Sequence, residues 1–179
     1  ALNADVVAKD YHLSTGNLCT KYVPEQLTRY GYTDTAFKLI TQTTYPSWGY
    51  MLSMGATTVW ERWEYATSTG MNSHNHPMYA SISAYFYKYL AGIAAAPASG
   101  FDSLTICPCM PAGLEWVSAE LDTVRGRVSS AWKREEDAVV FDIEIPEGAK
   151  AELLLPSGLI TEGGEAPAGR EGISPLGIK

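Results

Sequence analysis

"HPMYASISAYFYKYLAGIAAAPASGFD", His76 to Asp102, is where the chain changes its period. Up to Ile93 the apolar residues Met78, Ile82, Tyr85, Phe86, Tyr89 and Ile93 recur every three or four positions, the spacing of one helix face. Pro77 suits a first helical position and Gly92 an end. "AAAPASGFD" then reads as a linker. Beyond it the period becomes two. Val139, Phe141, Ile143 and Ile145 alternate with Val140, Asp142 and Glu144, and Ala149, Ala151, Leu153 and Leu155 repeat the pattern. "PEG", residues 146–148, reads as the hairpin turn between these two strands. Val128, Ser130 and Trp132 share one face of an earlier strand, with "REED" as its turn.

Working outward toward the start, "TDTAFKLITQ" is a helix. Its stripe is Ala36, Phe37, Leu39 and Ile40, and its cap is Thr33 or Asp34. "NLCTKYVPEQLTRYGY" also reads as helical up to Gly31, with Pro24 as the awkward residue. The fold class expected is therefore α+β in two segregated parts: helices, then an antiparallel meander that makes a β-sandwich. The boundary falls at 97/98, and residues 98–179 end in an irregular Gly- and Pro-rich tail. Three or four helices make a thin core, so their apolar faces expect partners.

The chain has 179 residues, enough for one medium domain or two small ones. Apolar residues reach 46%, which makes a core affordable and global disorder a poor description. Net charge is −7 with no Lys/Arg cluster, which argues against nucleic acid and against a basic membrane-surface patch. No apolar run approaches the roughly 20 residues that span a bilayer. The N-terminal "ALNADVVAKDYHL" lacks the layout of a signal peptide. The three cysteines, Cys19, Cys107 and Cys109, are an odd number and do not suggest a disulfide framework. Cys107 and Cys109 would lie on one face of a strand as small apolar side chains. His74 and His76 could join them around zinc, but the spacing fits no zinc pattern, and neither metal nor cofactor is expected.

Chemistry concentrates in "TTVWERWEYATSTGMNSHNHPM", Thr57 to Met78. Sugars are held by stacking their C–H faces on aromatic rings and by hydrogen bonds to planar polar side chains. "WERW" and "MNSHNH" supply Trp, Glu, Arg, Asn and His within one short stretch. Glycoside hydrolysis needs two carboxyl groups, and Glu61 is the candidate for one. Arg62 could help keep it ionised. A second account of the same residues stays open. Trp60 and Trp63 would be an i,i+3 core pair on a helix, with Glu61 and Arg62 a solvated ion pair. His76 would then be a helix-entry residue bonded to nearby backbone.

"TGNLCTKYVPEQLTRYGYTDTAFKLITQTTYPSWGYMLSMGATTVWERWE" followed by "GMNSHNHPMYASISAYFYKYLAGI" resembles bacterial α-L-rhamnosidases of glycoside hydrolase family 78. The resemblance covers roughly residues 10–95 and continues through "GFDSLTICPCMPAGLEWVSAELDTVRGRVSSAWKRE". It implies that residues 1–97 are the C-terminal helices of an (α/α)6 barrel and that a β-sandwich follows. It implies hydrolysis of terminal α-L-rhamnose with inversion, with Glu61 as general base, His76 and Asn75 in the rhamnose pocket, and Trp60 and Trp63 lining or supporting it. The implied ligands are rhamnose-containing glycosides or polysaccharides, in a bacterial compartment that the sequence leaves open. The segment between the two motifs is short for such an enzyme, so the leaving-group side is expected to be open. The family's general acid lies upstream of the matching region. The expectation is a piece that carries the base without the acid, inactive by itself and prone to self-association through its unpartnered helical faces.

Overall fold

The computed structural model describes residues 1–67, 70 and 72–155. Two compact units are present: one is Ala1–Tyr85, and the second starts at Phe86. The tail 157–179, read above as irregular, lies outside the described residues.

The first unit is helical: α1 (Leu2–Ala8), α2 (Asn17–Thr20), α3 (Tyr22–Arg29), α4 (Thr33–Ile40), α5 (Trp48–Ser53), α6 (Pro77–Ala80) and α7 (Ile82–Tyr85). The expected single helix from Asn17 is two, broken at Lys21. That break resolves the difficulty with Pro24. It places the proline in the first turn of α3, where its missing N–H would have had no helical partner in any case. Gly31 ends the segment at φ +83°, the left-handed conformation that suits glycine. Helix α4 carries the expected stripe, with Ala36, Leu39 and Ile40 buried. Its cap is Tyr32, without a side-chain hydrogen bond, and not Thr33 or Asp34. α3 packs on α4, and α1 touches both. Leu27 and Leu39 are each 1% exposed, and burial of such a side chain contributes about 1.5–3 kcal/mol. α1 and α5 went unrecognised in the sequence. α5 is capped by Ser47, whose Oγ accepts the Tyr50 N–H at 2.9 Å.

The helix expected from Pro77 to Ile93 is not continuous. Ser81 Oγ donates to Met78 O and competes with the helical ladder at the α6–α7 break. Residues Phe86–Leu90 form a π-type turn, in which the Ala91 N–H reaches back five residues to Phe86 O at 2.9 Å. The extra residue rotates the stripe. Tyr89 and Leu90 are buried, whereas Phe86, assigned to the stripe, is 44% exposed. Ile93 is not helical at all; it opens a strand.

The second unit has β1 (Ile93–Ala95), β2 (Ser103–Ile106), β3 (Trp116–Thr123), β4 (Gly126–Arg134), β5 (Val139–Glu144) and β6 (Lys150–Leu153). They form two three-stranded sheets, ordered β1-β2-β6 and β3-β4-β5. Both turn a face to one core of Ala91, Ile93, Leu104, Ile106 and Val128, with Val117, Leu121, Ile143 and Leu153 against it. The meander β3-β4-β5 is antiparallel, as alternation suggested. The hairpin through "PEG" is not formed. β6 leaves the meander and pairs parallel with β2, Leu104 opposite Ala151 and Ile106 opposite Leu153. Lys150 N to Asp102 O at 3.0 Å and Leu154 N to Ile106 O at 2.8 Å extend that pairing. Alternation fixes which face of a strand is buried; it does not name the neighbour. The strand stops at Ile106, so Cys107 and Cys109 lie past its end, partly buried, rather than on one strand face.

Candidate active site

Residues 57–67 form no helix, so the i,i+3 account of Trp60 and Trp63 does not hold. The "WERW" segment instead runs beside "SHNH". His76 N–H donates to Val59 O at 2.8 Å, Glu61 N–H donates to Ser73 O at 2.8 Å, and the Thr58 hydroxyl donates to His74 O. The two motifs, twelve residues apart in sequence, are therefore in contact through backbone.

Glu61 is partly buried, and its carboxylate is aimed by the chain itself: Oε2 accepts the Ser73 N–H at 2.8 Å. A hydrogen bond to an ionised acceptor is among the stronger ones. Arg62 does not serve it. The guanidinium turns to Glu64 at 3.5 Å, both groups about half-exposed, an arrangement that contributes little. The Glu61–Arg62 ion pair considered from the sequence is thus not formed.

Trp60 and Trp63 are 3% and 7% exposed. Trp63 stacks on Tyr79 at 3.9 Å and 22°, with Trp48 edge-on at 5.2 Å. Trp48 Nε1 donates to Tyr79 O at 3.1 Å and locks the cluster to α6. Trp60 meets Tyr65 at 5.0 Å and His74 at 5.7 Å. Both tryptophans therefore support the loop from inside. Tyr79 has its phenol pushed up to about 12, by burial first and then by the Glu64 charge. Burial and Glu64, which also accepts its hydrogen bond, raise Tyr45 too. Both phenols stay neutral at neutral pH.

His76 caps α6: Nδ1 accepts the Met78 N–H at 3.3 Å. That assigns the ring proton to Nε2, which becomes a donor. The helix-entry role weighed from the sequence is therefore real. Asn75 is exposed, and its backbone is tied to Ser73 Oγ at 3.0 and 3.1 Å. His74, which the sequence offered only to a zinc set, stacks on Tyr65 at 4.6 Å and 22°, with Nε2 at 3.1 Å from Ala66 O. Among the described residues no three His, Cys, Asp or Glu side chains gather as metal ligands. The sequence reading missed Ser73, Tyr65, Glu64 and Trp48. Ser73, Glu64 and Tyr65 lay inside the stretch already singled out, whereas Trp48 lay outside it.

Residues 1–90 match the family described as bacterial alpha-L-rhamnosidase 6 hairpin glycosidase domain, and residues 92–167 match the bacterial alpha-L-rhamnosidase C-terminal domain. The chain belongs to the bacterial α-L-rhamnosidase family. An α-L-rhamnosidase of Streptomyces avermitilis is 37% identical over 162 residues, covering 87% of this chain and 16% of that protein. One of Formosa agariphila is 38% identical over 154 residues, covering 83% and 16%. Among solved structures, the rhamnosidase of Dictyoglumus thermophilum superposes with a TM-score of 0.82 at 40% identity, covering 88% of this chain and 18% of that one. The Streptomyces avermitilis enzyme complexed with L-rhamnose superposes at 0.79 with 36% identity, covering 87% and 16%. The chain thus spans less than a fifth of each of these relatives.

Proposed function

We propose that this chain is the C-terminal part of an inverting α-L-rhamnosidase, made of the last helices of an (α/α)6 barrel and the β-sandwich that follows them in the chain. Glu61 is the general base. The observation that carries this reading is the double tie between Glu61 and Ser73. It holds a carboxylate between the two sugar-suited motifs with one oxygen engaged and Oε1 without a hydrogen bond from the described residues. Oε1 is then the atom that takes the proton from an attacking water. His76 Nε2–H donates to a hydroxyl of the terminal rhamnose, and Asn75 adds a second polar contact. The proton donor to the leaving oxygen is supplied by a part of the protein outside these 179 residues. Rhamnose-bearing glycosides are the substrates, as the names of the relatives suggest.

The test is hydrolysis of an aryl α-L-rhamnoside by the whole protein, with the product anomer followed by NMR. Wild type should release β-L-rhamnose first. Glu61→Gln keeps the shape and the Ser73 bond but cannot accept a proton, so kcat should collapse with KM nearly unchanged. Azide, a nucleophile needing no base, should restore turnover and give the β-glycosyl azide. Near-normal kcat in Glu61→Gln would remove Glu61 from the role of base.

A further inference from the structure

The rhamnosidase reading leaves unassigned the ring that lies four residues past Glu61. Both tryptophans of "WERW" are packed away, at 3% and 7% exposed, so neither has a free face to offer a substrate. Tyr65 differs. It is 52% exposed, yet it is not loose: one face lies on His74 at 4.6 Å and 22°, and Trp60 meets it at 5.0 Å and 56°. With His74 stacked on it and 52% of the residue still exposed, the tyrosine keeps ring surface accessible to a ligand. His74 is itself fixed, through Nε2 at 3.1 Å from Ala66 O, the carbonyl next to Tyr65 in the chain. Tyr65, Ala66 and His74 are thus tied to one another.

We infer that Tyr65 is a stacking platform for the leaving group, and that His74 is the positioning residue that holds it flat. The inference rests on the rhamnosidase reading. Glu61 and His76 are partly buried and Tyr65 is half-exposed in the same loop, so the terminal sugar is assigned to the first two and the part of the substrate beyond it to Tyr65. What it takes is a ring with a flat apolar face, either the next pyranose or an aryl group. A ring already held in place loses little freedom when a ligand stacks on it, which favours binding. Stacking acts before and during the reaction, so its loss should appear mainly in KM.

Three rhamnosides test this with the whole protein: the methyl glycoside, which has no ring beyond rhamnose, a nitrophenyl glycoside, and a rhamnosyl-glucose disaccharide. The readout is the ratio of kcat/KM on each ring-bearing substrate to that on the methyl glycoside. Tyr65→Ala should lower this ratio roughly 3- to 10-fold, through KM, the size of a single aromatic contact. A fall with nitrophenyl alone, or with the disaccharide alone, names the kind of ring held. Tyr65→Phe should keep the ratio. His74→Ala should lower it in the same direction, with Tyr65 still present but no longer held. An unchanged ratio in Tyr65→Ala, alongside active wild type, would overturn the platform while leaving the rhamnosidase reading intact. An unchanged ratio in His74→Ala alone would overturn the positioning role. Wild type that cleaves none of the three would overturn the reading beneath both.

Discussion

Glu61 and Ser73 hold each other at two points: the Glu61 N–H donates to Ser73 O at 2.8 Å, and the Ser73 N–H donates to Glu61 Oε2 at 2.8 Å. The carboxylate is therefore oriented by main chain, which has far less rotational freedom than a neighbouring side chain would. This also fixes the relation between the motifs. Any shift of "SHNH" along "WERW" moves the carboxylate with it.

Ser73→Pro removes the N–H that orients Oε2, whereas Ser73→Ala keeps it and removes only the hydroxyl ties to Asn75. A hydrogen bond to a charged group contributes about 1.5–3 kcal/mol. The proline variant of the whole protein should therefore lose roughly 10- to 100-fold in kcat on an aryl rhamnoside, and the alanine variant much less. Equal losses in steady-state kinetics would show that the Ser73 amide does not orient the base.

How much of this was legible follows from what side-chain patterns encode. The stripe of α4 was readable because Ala36, Leu39 and Ile40 face one core. The buried alternation of β4, with Val128, Ser130 and Trp132 inward, was readable for the same reason. The partner of β6 was not, because Lys150–Leu153 has no feature that prefers β5 over β2. The π-type turn at Phe86–Leu90 was hidden too, since a single extra residue shifts the stripe without changing composition. At the site, residue types pointed to Glu61 and His76. The Ser73 amide and the Tyr65–His74 stack depend on a backbone crossing that no local pattern specifies.

Tyr79 gives a pH signature. Its phenol is raised from 10.0 to about 12 in the folded protein, chiefly by burial. Above pH about 10 the unfolded chain releases this proton while the folded one keeps it, so stability falls as pH rises from there toward about 12. Below that window the contribution is constant. Tyr79→Phe should flatten part of the alkaline loss, and the remaining slope would include Tyr45, whose phenol is raised as well. Urea midpoints at pH 8, 10 and 11 measure this. A Tyr79→Phe protein with the wild-type slope would contradict it.

Thr28 and Tyr85 share a buried hydroxyl–hydroxyl hydrogen bond of 2.7 Å that links α3 to α7. Removing either hydroxyl removes this bond, at about 0.5–1.5 kcal/mol. Thr28→Val and Tyr85→Phe should each lower the urea midpoint. The double variant should lose less than the sum, because the bond the two hydroxyls share is already gone after the first change. Strict additivity would mean the two hydroxyls do not depend on each other.

Gly92 is the position where the chain leaves the helical turn and enters β1, and its replacement should be among the most damaging in the second unit. Its φ is +78°, a conformation that costs an L-residue with a Cβ about 1–2 kcal/mol. A Cβ placed there would also lie 2.3 Å from Pro108 N and 2.4 Å from the Cys107 carbonyl carbon. Those atoms are main chain and cannot swing aside as a side-chain tip could. They are held in turn, since Cys107 N–H donates to Gly92 O at 2.9 Å and Cys109 N–H to Tyr89 O at 2.7 Å. Relief would require separating β1 from the segment after β2. That movement would disturb Ile93 and Ile106, opposite each other in the core. Gly92→Ala should therefore lower stability by more than the conformational cost alone, and thermal unfolding followed by near-ultraviolet circular dichroism should show it. Gly148 is the control. It has φ +79° but open space around a Cβ, so Gly148→Ala should show the conformational cost by itself. Equal destabilisation at the two positions would mean that the backbone contact at Gly92 relaxes freely.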